Sequence, residues 1–191
     1  MARPREFDEA QVLEAAMEAF WDRGYESISM EDLTAATGLS RSSIYAAYES
    51  KRGLFAAALN FYMTTRVGSM LGDLEGPEAD LDTVLAFFGM LESVSVEYAD
   101  RYALGCFLTN TMTELGRSDA AIRDIGTLYF DRLRGAFSNA VRSSSTSDDD
   151  ADARGQLLAT LALGSFVVAR GAEVGRTNGP ALVGSLVEGW R

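Results

Sequence analysis

The segment MEDLTAATGLSRSSIYAAY, residues 30–48, decides the fold of this chain. Its first half has apolar residues at helical spacing until Gly38, and glycine commonly ends helices. Ser40 is a favourable N-cap for a second helix, in which Ile44 and Tyr48 are one turn apart and point inward. A helix, a tight turn that contains glycine and a second helix are the parts of a helix-turn-helix motif. We therefore predict this motif over residues 30–48.

Helical patterns extend from this motif in both directions. On its N-terminal side, Asp8 is a good N-cap for a first helix, and Ser29 with Asp32 forms a capping box just before the motif. On its C-terminal side, Ser50 caps a long helix that is predicted to run to about residue 74. No run of alternating β-branched residues predicts a strand. The chain is therefore predicted to be all-α.

The same periodicity predicts helices in the C-terminal two thirds of the chain. They are expected at about residues 81–98, 101–115, 119–142, 153–174 and 180–190. The stretch SSSTSDDDAD, residues 143–152, is polar and acidic, so we expect a mobile, solvated loop there.

Composition excludes several classes of function. The sequence has no histidine and a single cysteine, Cys106, which excludes an internal disulfide and disfavours a structural zinc site. No paired carboxylates, phosphate-binding glycine loop or activated nucleophile occur at a diagnostic spacing. We therefore expect no enzyme activity, no metal and no cofactor. No window reaches the roughly 18 apolar residues of a membrane span, so we expect a cytoplasmic protein.

The charge distribution restricts any contact with nucleic acid to a small area. The chain has a net charge of -11, and residues 1–53 contain six basic against ten acidic side chains. Phosphate binding depends on Lys and Arg, so DNA contact must be local. The positive charge of this region is concentrated in the N-terminal arm and around the second helix of the motif. It comes mainly from Arg3, Arg5, Arg41, Lys51 and Arg52.

The segment EAAMEAFWDRGYESISMEDLTAATGLSRSSIYAAYESKRGLFAAAL resembles the DNA-binding domain of TetR/AcrR-type transcriptional regulators. The resemblance covers about residues 8–59. It implies an N-terminal three-helix helix-turn-helix domain, residues 1–50, joined by a long helix to a larger helical ligand-binding and dimerisation domain, residues 51–191. The matching positions are Ala15, Phe20, Gly24, Tyr25, Leu33, Thr34, Gly38, Leu39, Ser40, Tyr45, Tyr48, Ser50, Lys51 and Leu54.

The resemblance also implies which side chains bind DNA. Ser43, Tyr45 and Lys51 match positions that hold phosphates, and each can donate a hydrogen bond to a phosphate oxygen. Arg41 and Ser42 match positions that face base edges, where an arginine can bridge O6 and N7 of a guanine. In addition, the charge of Arg3 and Arg5 predicts that the N-terminal arm follows the DNA backbone or enters the minor groove.

The larger domain is expected to bind an unknown small-molecule effector. Its helices contain more apolar and aromatic residues than solvent-facing surfaces allow, so some of them are expected to line a pocket or an interface. Core packing is the competing interpretation for each of these residues. The pocket candidates are Phe87, Phe107, Thr111, Met112, Tyr129 and Phe166.

The last two predicted helices are expected to form a homodimer. Residues 157–174 and 180–190 are rich in Ala, Gly, Leu and Val, and small residues let helices approach closely. The resemblance implies that each protomer contributes such a pair to a four-helix interface. Two-fold symmetry suits a palindromic operator. The expected function is thus a homodimeric repressor that a small-molecule effector releases from its operator.

Two alternatives to this function stay open. The first is a regulator that senses electrophiles or oxidants through Cys106, because the segment RYALGCFLTNTMTEL resembles a stretch from one branch of the family. A buried, inert thiol is the competing interpretation. The second is a helical partner-binding protein with little DNA affinity, which the acidic balance and the alanines at 46 and 47 would permit.

Overall fold

The computed structural model of the chain describes residues 7–97, 104–171 and 179–191. These residues form helices joined by short turns, and no strand occurs among them. The all-α prediction is therefore confirmed. The helices are α1 (Glu9–Arg23), α2 (Met30–Thr37), α3 (Arg41–Tyr48), α4 (Lys51–Tyr62), α5 (Gly68–Glu75), α6 (Leu81–Glu97), α7 (Phe107–Leu115), α8 (Ala120–Val141), α9 (Asp148–Gly171) and α10 (Gly179–Glu188).

The chain divides into two compact units, Met1–Val67 and Gly68–Arg191. In the first unit, α1 packs against α2 and α4. Phe20 of α1 and Phe55 of α4 make an edge-to-face contact with ring centroids 5.0 Å apart, and both are buried. The sequence-based boundary between residues 50 and 51 falls at the start of α4, inside the first unit, whereas the two compact units divide after Val67. The assignment of one function to each side of that boundary stays a prediction.

Serine and aspartate side chains begin the first four helices as the sequence predicts. The Asp8 carboxylate accepts hydrogen bonds from the N–H groups of residues 10 and 11. Ser29 and Asp32 form the reciprocal capping box at the start of α2. Ser40 and Ser50 each accept a hydrogen bond from the backbone N–H three residues later. These local hydrogen bonds satisfy backbone donors that have no partner within a helix.

The predicted single helix from residue 51 to 74 is interrupted in its middle. Residues Met63–Val67 form a π-helical turn between α4 and α5. The hydroxyl of Thr64 donates to the carbonyl groups of Asn60 and Phe61, and the hydroxyl of Thr65 donates to Phe61. Such side-chain bonds compete for the carbonyl groups that a regular α-helix would use. The spacing of apolar residues does not reflect this competition, so the sequence predicts one continuous helix.

The core of the second unit is built around α8, which contacts α5, α6, α7 and α9. The rings of Phe87, Phe88 and Phe137 form one cluster, with centroids 5.2 to 5.8 Å apart. Helices α8 and α9 approach closely at Gly155, where an added Cβ would lie 2.2 Å from the hydroxyl oxygen of Ser138. Glycine at this position therefore allows the two longest helices of the unit to pack together.

The predicted mobile loop at residues 143–152 is wrong. A 3₁₀ turn, Arg142–Ser144, follows α8 directly, and α9 begins at Asp148. The Ser147 hydroxyl accepts a hydrogen bond from the N–H of Asp150, whose carboxylate in turn accepts one from the N–H of Thr146. Negative charge in the first turn of a helix is favourable because it faces the positive end of the helix dipole. The acidic run is therefore the start of a helix.

The other predicted boundaries in this unit fall within a few residues of those observed. Helix α7 is the exception, because it begins at Phe107 and the predicted helical residues 104–106 are not helical. The other predicted residues at this end, 101–103, lie outside the described part of the chain. Within the described ranges, no helix is both long and apolar enough to cross a membrane.

Candidate nucleic-acid interface

Helix α3 has one buried face and one exposed face. Ile44 is fully buried and Tyr48 is 8% exposed, so this face of the helix packs into the first unit. The opposite face presents Arg41, Ser42 and Tyr45 to solvent. Tyr45 is 42% exposed, although large aromatic side chains are usually buried well beyond that. A short helix that displays a guanidinium, a hydroxyl and a phenol suits a surface rich in hydrogen-bond acceptors.

Three serine hydroxyls lie together at the N-terminus of α3. The Ser40 oxygen accepts a hydrogen bond from the N–H of Ser43 at 3.1 Å. It also lies 2.9 Å from the hydroxyl oxygen of Ser42 and 2.8 Å from that of Ser43. Each hydroxyl can rotate to donate outward, because its hydrogen is not fixed by the backbone. The cap of the helix and the predicted DNA-contacting hydroxyls therefore form one network.

The Arg41 guanidinium lies between a carboxylate and an aromatic ring. One of its nitrogens is 3.5 Å from the Glu31 carboxylate on α2, and its central carbon is 5.8 Å from the centre of the Tyr45 ring. The side chains of Arg41 and Glu31 are 61% and 77% exposed. An ion pair this exposed contributes at most about 1 kcal/mol, so the guanidinium remains available to another acceptor.

The turn between α3 and α4 depends on a close backbone approach. Glu49 adopts a positive φ of 67°, which directs the chain sharply into α4. At Gly53, an added Cβ would lie 1.8 Å from the carbonyl oxygen of Tyr48. Only glycine fits there, and it brings the N-terminus of α4 against the C-terminus of α3.

The cations at the start of α4 lie over the aromatic residues of the first unit. The Lys51 amino nitrogen is 4.7 Å from the centre of the Tyr25 ring. The Arg52 guanidinium carbon is 5.7 Å from that ring and 5.5 Å from the Phe55 ring. Both side chains are half-buried. Cation–π contacts of this kind hold each charge in place, and they leave the N–H donors of Lys51 usable.

One acidic side chain of the first unit, Asp32, is held by hydrogen bonds and an ion pair within the fold. The Asp32 carboxylate accepts hydrogen bonds from the N–H and hydroxyl of Ser29, and it pairs with Arg23 at 2.7 Å. The hydrogen bonds from Ser29, followed by the charge of Arg23, hold the pKa of Asp32 below its usual value. Asp32 thus caps the start of α2, and the neighbouring Glu31 pairs with Arg41.

Most of the predicted DNA-binding residues lie on α3 or at the start of α4. Arg41, Ser42, Ser43 and Tyr45 lie on α3, and Lys51 is the first residue of α4. Their roles toward DNA stay predictions. The two predicted arm residues, Arg3 and Arg5, lie outside the described residues.

Sequence reasoning did not give Glu31 a role with Arg41, nor Gly53 a role in the turn. The contact of Glu31 with Arg41 joins residues on different helices. Gly53 lies in the first turn of α4, and its crowding against the Tyr48 carbonyl oxygen is visible only in three dimensions. Neither residue has a local signal beyond its type.

The predicted effector residues lie in the second unit and are mainly buried. Phe87 belongs to the aromatic cluster, and Tyr129 is fully buried. Met112 packs against Gly126 of α8 so closely that a Cβ added to that glycine would lie 3.0 Å from the Met112 side chain. The remaining candidates are Phe107, Thr111 and Phe166, with exposures of 2%, 2% and 8%. The structure thus gives these side chains packing roles, and their role toward a ligand stays a prediction.

Cys106 lies at the N-terminal end of α7 and is 1% exposed. Its sulfur is 3.5 Å from the hydroxyl oxygen of Tyr129. The preceding residue, Gly105, has a φ of 68° and lies where an added Cβ would be 2.7 Å from the carbonyl oxygen of Phe166. A buried thiol in so tightly packed a segment favours the packing interpretation over a sensing role.

A second surface of interest consists of apolar side chains on α9 and α10. Leu157, Leu161 and Val168 recur at helical spacing along α9, and Leu182 and Leu186 are one turn apart on α10. We call these five residues the apolar row. Leu182 is 69% exposed, and all but the half-buried Leu161 are among the large apolar side chains that face solvent. Exposed apolar patches usually mark interaction sites.

The sequence is similar to those of bacterial transcriptional regulators. Residues 12–58 match the model of the family described as bacterial regulatory proteins, tetR family. The chain is 34% identical to the HTH-type transcriptional repressor ComR of Escherichia coli over 113 residues. The aligned residues make up 59% of this chain and 53% of that protein. The chain is 33% identical over 114 residues to the uncharacterized HTH-type transcriptional regulator YezE of Bacillus subtilis, covering 60% and 58%. The matches thus span little more than half the length of these curated relatives.

Solved structures extend the similarity to the whole fold. A cysteine mutant of the TetR family transcriptional regulator CifR, complexed with 26bp double-strand operator DNA, has a TM-score of 0.75 and 28% identity. The superposition covers 98% of this chain and 97% of that one. Reduced Escherichia coli NemR also has a TM-score of 0.75, with 15% identity over 94% of each chain, which shows a shared fold.

Proposed function

Because the chain belongs to the TetR family of bacterial regulatory proteins, we propose that it is a homodimeric transcriptional repressor. In this proposal, its helix-turn-helix binds a palindromic operator, and a small-molecule effector in the second unit releases it. The observation that carries the proposal is the exposed face of α3, where Arg41, Ser42 and Tyr45 lie over a buried Ile44 and Tyr48.

The arrangement of α2, α3 and α4 supports recognition of a few bases by a firmly positioned helix. Arg41 and Ser42 lie at the N-terminal end of α3, the end that enters the major groove in helix-turn-helix proteins. Ser43, Tyr45 and Lys51 flank them and suit phosphate contacts. Two alanines, Ala46 and Ala47, follow on the same helix. Base recognition therefore depends on few side chains, chiefly Arg41.

The apolar row supports dimerisation. Leu157, Val168, Leu182 and Leu186 would leave water if α9 and α10 packed against the same helices of a second protomer. A two-fold dimer presents two copies of α3 to half-sites separated by about 34 Å, one turn of the duplex. With a net charge of -11, one protomer has weak electrostatic attraction for DNA, so two contacts per operator are needed.

The buried aromatic residues of the second unit support an apolar effector site. Phe87, Phe107 and Tyr129 lie on three different helices and are each 5% exposed or less. An effector that binds among them must prefer one conformation of the protein over the other in order to change DNA affinity. The burial of Cys106 does not favour the thiol-sensing alternative.

A binding measurement with the full-length protein tests this proposal. We expect the protein to bind a duplex from upstream of its own gene more tightly than a scrambled duplex, and to lose affinity steeply between two salt concentrations. Arg41→Ala should remove most of the preference for the specific duplex and leave the part that depends on Ser42. Lys51→Ala should weaken both duplexes alike and reduce the slope of log affinity against log salt by about 1. Binding that ignores salt, or an unchanged preference in Arg41→Ala, contradicts the proposal.

A further inference from the structure

The Glu31 carboxylate on α2 contacts Arg41, the side chain that we assign to base recognition. Its oxygen lies 3.5 Å from a terminal nitrogen of Arg41, across the turn of the helix-turn-helix. At 77% exposure, Glu31 buries little surface of its own. The capping function at this end of α2 is performed by the neighbouring Asp32. Glu31 also places negative charge in the first turn of α2, which is favourable to the helix dipole, but that effect requires no contact with Arg41.

A carboxylate close to a DNA-binding surface normally weakens binding, because it repels phosphate. Glu31 would do so in a domain that already has more acidic than basic residues. Its contact with Arg41 provides a compensating benefit. A guanidinium has five N–H donors in a fixed fork, so one edge can donate to a carboxylate while the other donates to a guanine.

Tyr45 limits the Arg41 side chain from a second direction. The guanidinium carbon lies 5.8 Å from the centre of the Tyr45 ring, which is within the range of a cation–π contact. A carboxylate on one side and a ring on the other reduce the number of conformations open to a long, flexible side chain. Less entropy is then lost when the side chain meets a base.

We propose that Glu31 is a positioning residue for base recognition, and that it orients Arg41 toward guanine at the cost of overall DNA affinity. This inference rests on the proposed DNA-binding function. Glu31 therefore increases the preference for one sequence over others. It acts through Arg41 and makes no base contact itself.

Two variants separate positioning from simple repulsion. Glu31→Ala removes both the charge and the acceptor, and Glu31→Gln keeps an acceptor oxygen without the charge. Glu18→Ala is the matched control, because it removes the same charge from an exposed position on α1. The wild-type full-length protein is first used to enrich a binding sequence from a pool of randomised duplexes. Affinities of every variant are then measured for the enriched duplex and for a scrambled one.

We expect Glu31→Ala to bind the scrambled duplex more tightly and to lose about threefold to fivefold of its preference for the enriched duplex, the range expected of an exposed ion pair. Glu31→Gln should retain part of that preference, and Glu18→Ala all of it. In an Arg41→Ala background, Glu31→Ala should change the preference no further, because the residue through which it acts is gone.

Two results overturn the inference and leave the proposed function intact. One is an equal gain of affinity for both duplexes in Glu31→Ala, since that is repulsion alone. The other is a loss of preference that persists in the Arg41→Ala background, since Glu31 would then act independently of Arg41. A wild-type protein that enriches no sequence refutes the proposed function itself, and the inference with it. Circular dichroism of each variant confirms that its helices are intact.

Discussion

The helix-turn-helix and the α8–α9 pair use the same secondary structure in opposite ways. In the first unit, polar side chains on α3 face solvent, and local serine and aspartate caps set where each helix begins. In the second unit, α8 is buried along much of its length, and α9 exposes apolar side chains such as Leu157 and Val168. The first arrangement suits contact with a polar ligand, and the second suits contact with another apolar surface.

The aromatic residues show this contrast most clearly, and one substitution in each unit would test it. Phe137 is fully buried and contacts the rings of both Phe87 and Phe88. Phe137→Ala should lower the free energy of unfolding by about 4 kcal/mol, because it removes a large ring and leaves a cavity. Tyr45→Ala, on the exposed face of α3, should change it by less than about 0.5 kcal/mol and weaken DNA binding. Denaturant unfolding and DNA titration of both variants measure these effects.

Close backbone approaches occur in both units, and the one at Gly53 is the more severe. Gly53→Ala places a methyl group 1.8 Å from the Tyr48 carbonyl oxygen, so either α3 or α4 must shift. We expect a loss of about 3 kcal/mol in unfolding free energy, together with weaker DNA binding. Gly72→Ala is the control, because an added Cβ there meets no atom within 4 Å. Thermal unfolding should show that control to be neutral or slightly stabilising, and a tolerated Gly53→Ala would contradict this geometry.

The apolar row would be tested by placing a charge on it. Leu186→Glu should raise the dissociation constant of the proposed dimer at least about tenfold, because two-fold symmetry would set two glutamates in one apolar interface. Leu128→Glu is the matched control, since Leu128 is 68% exposed on α8, outside the row. Analytical ultracentrifugation over a concentration series measures the change. Equal dissociation constants for the two variants would contradict a dimer interface at the apolar row.

The smallest expected effect is a difference in acid sensitivity at the start of α2. The pKa of Asp32 is lowered from its usual value of 3.8, chiefly by hydrogen bonds from Ser29. A lowered pKa in the folded state means that Asp32 adds stability above pH 3.8, and that this stability is lost as the pH falls through the folded pKa. Asp32→Asn should therefore have a lower melting temperature than the wild type at pH 7. That gap should narrow as the pH is lowered below 3.8, and a gap that is constant with pH would contradict the assignment.

Prediction from the sequence worked best where structure is determined by neighbours along the chain. The caps at Asp8, Ser29, Ser40 and Ser50 were all predicted. Each cap is a hydrogen bond between a side chain and a backbone N–H at most three residues later, so it depends only on the local sequence. The acidic run at residues 148–152 was assigned wrongly to a loop. Its composition suggested solvation, whereas the cap at Ser147 and the helix dipole favour a helix.

In the candidate site, too, features within one helix were predicted and contacts between helices were not. The sequence and its family resemblance predicted that Arg41, Ser42 and Tyr45 share a helix, and the structure shows all three exposed on it. The contact of Arg41 with Glu31 was not predicted, because its two residues are ten positions apart on different helices. The effector candidates, in turn, were chosen for their residue types. Type alone does not distinguish a core aromatic from a ligand-binding one.

By itself, the sequence determined the all-α class, the helix-turn-helix between residues 30 and 48 and the concentration of positive charge around it. These depend on periodicity, capping and residue type, which act over a few residues. The tertiary structure decided the π-helical turn at Met63–Val67, the fit of Gly53 against Tyr48 and the partner of Arg41. Each depends on how neighbouring turns and helices compete for space and for hydrogen bonds. That competition exists only once the chain has folded, so no local pattern encodes its outcome.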